Sequence, residues 1–257
     1  METVEQRRGR ERRRLLFDDV AAEYDATRQG YPAEIADAVF ANAALGPGAT
    51  VLEIGCGTGQ FTRQLAGRGF ELTAIDIGAA MVAAARRNVA DETARFEVCS
   101  FEDFEGGGPF DLIGSATAFH WVDPGVGLAK AARLLRPGGR LALLTTGGRY
   151  PEPLRTGLRD LWVRYSRSSG TWADQPSWLT ALRESELFGD TVEMSHARDL
   201  RLSAEAVIGV ERTRATFLSY GEQDRRDFTA DLTALLAGGG SVDLVQESFL
   251  TMAPRIS

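Results

Sequence analysis

Over the first 146 residues, short apolar runs rich in β-branched residues alternate with alanine-rich stretches. Thr50–Ile54, Glu71–Asp76, Arg95–Cys99, Phe110–Ser115 and Arg140–Thr145 read as strands. Thr62–Ala66, Ala79–Val89 and Leu128–Leu135, with apolar residues three and four apart, read as helices. Two more helices, Leu15–Asp25 and Ala33–Leu45, are predicted ahead of the first strand. Pro32 suits the first turn of the second of these, and Pro47-Gly48 ends it. Strand–helix–strand alternation predicts a parallel sheet with crossover helices. Beyond Thr146 the rhythm changes. Residues 151–188 hold Trp162, Tyr165, Trp172, Trp178 and Phe188 among polar positions. A strand at Thr191–Ser195 follows, then helices over Ala204–Tyr220 and Asp224–Leu236, and a last strand at Val242–Thr251 after Gly238-Gly239-Gly240. The expected organisation is an arm at 1–14, a core at 15–150, a helical cap carrying one strand at 151–240 and a closing strand at 241–257.

Composition narrows the class. Of the 257 residues, 44% are hydrophobic and 25% charged, as in ordinary globular domains. No apolar run approaches the ~18 residues of a membrane helix, so no membrane partner is expected. Six arginines lie between Arg7 and Arg14, but no apolar stretch follows them, which argues against a secretory signal and for a cytoplasmic protein. The arm itself reads as a mobile, solvated terminus. Two cysteines, Cys56 and Cys99, make neither a disulfide framework nor a four-ligand zinc site. A net charge of −7 argues against a nucleic-acid-coating protein.

The chemistry concentrates at Val51-Leu52-Glu53-Ile54-Gly55-Cys56-Gly57-Thr58-Gly59, a strand running into a glycine turn. Glycine lets backbone approach a ligand closely because no Cβ intervenes. A dinucleotide fingerprint would place its third glycine at position 60, which is Gln60; the pattern is G-x-G-x-G instead. The Glu53 carboxylate would repel a nearby pyrophosphate and suits a ligand with cationic centres, such as the sulfonium and ammonium of S-adenosylmethionine. Asp76 ends the next strand, 17 residues beyond Gly59, where a carboxylate accepts hydrogen bonds from ribose hydroxyls; beside the glycine turn this reading outweighs helix capping.

With these residues in view, the chain resembles the class I S-adenosylmethionine-dependent methyltransferases, in the small-molecule group of trans-aconitate and ubiquinone-type enzymes. Glu53-Ile54-Gly55-Cys56-Gly57-Thr58-Gly59 matches the first motif and Asp76 the ribose-binding acid. Phe110-Asp111-Leu112-Ile113 with Phe119-His120-Trp121 is similar to the fourth-strand region, and Leu134–Leu141 to the entry of the fifth strand. Phe17, Tyr24-Asp25, Arg28 and Tyr31-Pro32 are similar to the group's opening helix. The resemblance implies a doubly wound, Rossmann-like α/β fold with a seven-stranded sheet whose last strand is antiparallel. It further implies methyl transfer to a small molecule, most often at oxygen, without a metal. S-adenosylmethionine contacts are implied for Tyr24, Arg28, Glu53, Gly55, Cys56, Gly57, Gly59, Asp76, Ile77, Ser100, Phe101, Glu102 and Ser115. One departure stands out: Ser100 occupies the place where the family carries an acid after the third strand, with Glu102 as a substitute acidic partner.

His120 follows the fourth strand, at the sheet edge where the reactive methyl would point. It is either a general base or a shaper of the pocket floor. Asp123 either orients His120 or caps the next helix. Trp162, Tyr165, Trp172 and Trp178 either roof an apolar substrate or form ordinary core. Cys56 reads as packing rather than redox chemistry. The rival classes are a nicotinamide-dependent oxidoreductase, disfavoured by Gln60 and Glu53, and a non-catalytic module that keeps the cofactor fold.

Overall fold

The computed structural model describes residues 4–166 and 176–256. One sheet organises it. The strands β1 (Thr50–Ile54), β2 (Glu71–Asp76), β3 (Arg95–Val98), β4 (Phe110–Ala116), β5 (Leu135–Arg149), β6 (Val192–Ser203) and β7 (Ser241–Pro254) lie in the order β3-β2-β1-β4-β5-β7-β6. The first five pair in parallel, and β7 runs antiparallel to both β5 and β6. The seven-stranded sheet with an antiparallel last strand is the expected one. Strand order reverses at β1, which has β2 on one side and β4 on the other; the crevice above such a switch point is where open α/β sheets bind ligands.

The uninterrupted apolar runs are explained by burial on both sheet faces. Leu52, Ile54, Ile113, Leu141 and Leu143 pack on one face. Their neighbours Val51, Leu112, Ala142 and Leu144 pack on the other, against Ile35 and Val39 of the helix Ala33–Ala43. A separate cluster holds Leu158, Leu161, Trp162, Val207, Phe217, Phe228 and Leu232, with Leu16, Phe17 and Val20 of the N-terminal segment packed on it.

Several expectations are corrected. The single helix over Leu15–Asp25 is two, α1 (Val4–Leu15) and α2 (Ala21–Thr27), with a 3₁₀ turn Asp18–Val20 between them. The turn lets Asp18 Oδ1 accept the Ala80 and Met81 N–H groups, capping the helix Ala79–Asn88 from outside its own chain segment. The helix over Ala204–Tyr220 breaks after Arg212 and resumes at Ala215. The strand predicted at Thr191–Ser195 runs on to Ser203, because β7 pairs with it along the whole length. Charged residues on its exposed positions hid that length from a pattern reading. Trp178 belongs to the main core and not to the cap: with Leu179 and Leu182 it packs beside Leu128, Ala131 and Ala132. Trp162 and Tyr165 pack against Phe228 in the cap cluster, tilted and edge-on at 4.6 and 5.5 Å between ring centroids, so they are core and not roof. Trp172 lies outside the described residues.

Candidate functional site

The turn after β1 shows why its glycines are there. Gly55, Gly57 and Gly59 have φ of +70°, +54° and +91°, left-handed backbone that side chains disfavour. A Cβ on Gly55 would collide with Ala118 Cβ in the loop after β4, and one on Gly59 would stand 3.3 Å from the Ala85 backbone. The Gly55 and Cys56 N–H groups both donate to Ile75 O, at 2.8 and 3.0 Å, tying the turn to β2. The Gly57 N–H donates to Asp76 Oδ2 and the Gly78 N–H to Asp76 Oδ1, each at 2.9 Å. Asp76 is thus fixed at the crevice, with lone pairs left on both oxygens. Desolvation raises its pKa against the pull of those two N–H groups.

Above the turn lies a cleft of about 720 Å³, open on one side to solvent. Of the residues expected at the cofactor, Tyr24, Gly55, Gly57, Asp76, Ile77, Ser100 and Phe101 line it. Arg14, Phe17, Met81, Thr117 and Trp121 line it too, and the sequence reading did not single them out for it. Phe17 meets Tyr24 and Trp121 edge-on at 6.0 and 5.9 Å, so the N-terminal segment forms one wall. Thr117 carries a signal visible only in three dimensions. It is β-branched at φ +54°, a conformation that costs about 1–3 kcal/mol and that surrounding structure must impose.

Six expected contacts are placed elsewhere. Arg28 turns away: it donates to Thr213 Oγ1 at 3.0 Å and Thr213 O at 2.8 Å, with its guanidinium 5.0 Å from the Tyr24 ring centroid. Burial lowers its pKa. Cys56 packs against Ala74 and Ala85, and burial pushes its thiol pKa up, so it serves packing. Gly59 provides close approach to Ala85 and does not border the cleft. Ser115 is fully buried and donates to Ile54 O at 2.9 Å, stitching β4 to β1. Glu102 is claimed by arginines: Arg14 bonds both its oxygens, at 2.9 and 3.1 Å, and Arg10 adds a third bond at 3.2 Å. Desolvation works against Glu102 ionising, but Arg14 outweighs it and holds the carboxyl below its ordinary value. It is therefore a latch for the N-terminal helix and not a free partner for a purine. Glu53 lies beneath the turn, 1% exposed, with Oε2 buried and unpartnered.

The same contacts correct the reading of the arm as a solvated terminus. Within α1, Arg14 is only 9% exposed and also donates to Trp121 O. Arg10 and Arg14 are held by Glu102 and a backbone carbonyl, whereas Arg8, Arg12 and Arg13 of the same helix stay exposed. Ser100, standing in for the family's acid, spends its hydroxyl on Asp103 Oδ2 at 2.7 Å and accepts the Asp103 N–H at 3.1 Å. Phe101 is buried beside it.

Burial pushes the pKa of Glu53 up to about 8, with the charge of Asp76 adding to the rise; the Thr62 hydroxyl is near enough to temper it but lies off hydrogen-bonding geometry. The folded protein then holds a proton that the unfolded chain releases near 4.5. Stability of the ligand-free protein is expected to fall as pH rises between those values, because the native state binds more protons there. Denaturant titrations across the range should show this decline, and Glu53→Gln should flatten it; an equally steep decline in the variant overturns the assignment.

His120 is absent from the cleft lining. Its ring faces Trp121 at 5.0 Å between centroids. Crowding by protein and, secondarily, the charge of Arg14 lower its pKa to about 4, although the ring keeps solvent contact that screens this effect. Asp123 does not orient it: its Oδ1 accepts the Val126 N–H at 3.0 Å and caps the helix Pro124–Leu134. No group of three or more histidines, cysteines or acids with metal-binding geometry occurs among the described residues.

Comparison with known proteins places this geometry. A methyltransferase-domain family model matches residues 51–139. An uncharacterised methyltransferase of Geobacillus kaustophilus is 30% identical over 162 residues, covering 58% of this chain and 74% of the relative. The chain belongs to the class I S-adenosylmethionine-dependent methyltransferases. An uncharacterised methyltransferase of Mycobacterium tuberculosis is 33% identical over 130 residues, 51% of each chain, so the match spans about half the length of that relative. A structure from Anaeromyxobacter dehalogenans, described as a type II methyltransferase, superimposes with a TM-score of 0.63 at 21% identity, over 89% of this chain and 98% of its own. The residues of this methyltransferase fit the family's cofactor. The Gly55 cradle leaves no room for a Cβ, Asp76 offers free lone pairs at the crevice, and Glu53 holds an unpartnered oxygen below it. The match covers β1 to the start of β5; the N-terminal wall of the cleft lies outside it.

Proposed function

We propose that the protein transfers the methyl group of S-adenosylmethionine to an oxygen, hydroxyl or carboxyl, of a small molecule. The observation that carries this reading is the joint placement of the glycine turn and Asp76, locked to each other by the Gly57 N–H. When bound, S-adenosylmethionine supplies an electrophilic methyl on a sulfonium. Asp76 would take the ribose hydroxyls, and Glu53, protonated in the ligand-free protein, would lend negative charge beneath the cationic end once the bound cation draws off that proton. Ile77, Met81 and Phe101, which line the cleft, would give the adenine apolar walls, while Phe17, Tyr24 and Trp121 would keep water out. In the transfer the acceptor oxygen would bond to the methyl carbon as its bond to sulfur breaks, the sulfur would keep that electron pair, and the acceptor's proton would leave to solvent. A carboxylate has none to lose. Such a displacement is promoted mainly by holding the reactants in line, which supplies up to ~7–11 kcal/mol of barrier lowering. Oxygen is favoured because relatives matching 43% and 38% of this chain are a malonyl-[acyl-carrier protein] O-methyltransferase of Anoxybacillus flavithermus and a ubiquinone biosynthesis O-methyltransferase of Caulobacter vibrioides.

The test is to incubate the protein with metabolite pools and cofactor labelled in its methyl group, then identify the labelled product by mass and fragmentation. Label on oxygen supports the reading; label on nitrogen or carbon overturns the oxygen assignment, and no labelled product overturns the transferase. With an acceptor in hand, the role of His120 follows. Its position outside the cleft lining predicts that His120→Asn keeps most of the turnover and leaves the pH profile unchanged. Loss of ~10²–10⁴-fold in both His120→Ala and His120→Asn would instead mark a general base. The missing ionisation would then fall well below the ordinary histidine value, since the pKa is lowered to about 4.

A further inference from the structure

The strained backbone at Thr117 has a chemical counterpart. The Tyr31 hydroxyl donates to Thr117 Oγ1 at 2.9 Å. Tyr31 is positioned from two sides: its carbonyl accepts the Gln64 amide at 2.6 Å, and its ring meets Phe61 edge-on at 5.8 Å between centroids. Burial raises the Tyr31 pKa, so the phenol stays a neutral donor. With Tyr31 on one lone pair, Thr117 has its own proton to give. No acceptor for that proton exists among the described residues, and Thr117 borders the cleft. The Thr117 N–H is spent on Leu144 O at 2.8 Å, which anchors the left-handed backbone against β5.

Sheet order decides what this donor meets. Asp76, Ile77 and Phe101 lie at the ends of β2 and β3, on one side of β1. Thr117 lies at the end of β4, on the other side, next to the segment Phe61–Gln64 that follows the glycine turn. A ligand with its nucleoside on the first side extends its amino-acid end across the turn toward the second. Beneath the turn sits Glu53, suited to an ammonium; an amino acid also brings a carboxylate, which needs a donor. We propose that the Thr117 hydroxyl, oriented by Tyr31, donates a hydrogen bond to the carboxylate of the cofactor's amino-acid end. Thr117 is the contacting residue and Tyr31 a positioning residue. The left-handed conformation at Thr117 is retained because it aims the hydroxyl. This inference rests on S-adenosylmethionine being the cofactor.

Calorimetry with two probes tests it: S-adenosylhomocysteine, which carries the amino-acid end, and 5′-methylthioadenosine, which lacks it. Thr117→Val is expected to weaken S-adenosylhomocysteine by roughly 10- to 100-fold, the range for a hydrogen bond to a charged group. Its 5′-methylthioadenosine affinity should stay unchanged, and Thr117→Ser should recover most of the loss. Tyr31→Phe should weaken S-adenosylhomocysteine less, and should add nothing in the Thr117→Val background. Equal weakening of both probes makes Thr117 merely structural and overturns the proposal, as does unchanged S-adenosylhomocysteine affinity. If Thr117→Val does not fold, the two-probe comparison on Thr117→Ala and Tyr31→Phe decides by the same criteria, with Thr117→Ser as the near-normal control. Absence of S-adenosylhomocysteine binding to the unaltered protein would instead overturn the cofactor assignment itself.

Discussion

Replacing Asp76 with alanine should leave the protein folded and weaken S-adenosylhomocysteine binding by about 1–3 kcal/mol, the worth of charge-assisted hydrogen bonds. The structure adds a second cost. Asp76 accepts the N–H groups of Gly57 and Gly78, so alanine also frees the turn that cradles the ligand. Asp76→Asn separates the two effects. It keeps the bulk and one oxygen near the turn but removes the charge, and it should lose less affinity than alanine. Calorimetry on both variants checks this, with melting temperature as the control for folding. Unchanged affinity in Asp76→Ala would overturn the ribose assignment.

The other large effect belongs to Arg14. Its guanidinium bonds both oxygens of Glu102 and reaches Trp121 O from a nearly buried position. Breaking a buried ion pair from one side costs ~3–5 kcal/mol. Arg14→Ala should cost less than that, because Arg10 still reaches Glu102 Oε1 at 3.2 Å. The melting temperature should fall. S-adenosylhomocysteine should also bind more weakly and dissociate faster, since Arg14 and Phe17 belong to the wall that the latch holds in place. Glu102→Gln should reproduce the effect in milder form, and added salt should change the gap between wild type and the variants little, because a nearly buried pair is poorly screened. Stopped-flow release of S-adenosylhomocysteine and thermal melting together check the prediction. A variant with unchanged melting and release would return the N-terminal helix to the status of a solvated arm.

Much of the fold was legible along the chain because its signals are local. β1 and β2 begin and end where the apolar runs do, since burial on both sheet faces makes such strands near-continuous apolar runs, with Glu53 and Thr73 the polar positions inside them. The glycine turn was legible because its conformation excludes side chains, and Asp76 because a strand end beside such a turn faces a crevice. Charged stretches misled the reading. The arginines of α1 and the alternating charges of β6 look like solvated chain when read alone. In the structure, Arg14 finds Glu102, 88 residues away, and β6 finds β7 across the whole cap.

By itself the sequence determined the parallel strand–helix core, the β1 turn and the acid at β2, since each rests on periodicity or on backbone sterics confined to a few neighbouring residues. Only the tertiary structure decided which motif residues face the cleft. Tyr24 and Asp76 do, whereas Arg28 is drawn off by Thr213, Ser115 by Ile54 O and Glu102 by Arg14. It also decided that Arg14, Phe17 and Thr117 join them. The physical reason is that a polar side chain goes to whichever partner folding brings within hydrogen-bonding range, and that partner lies far along the chain.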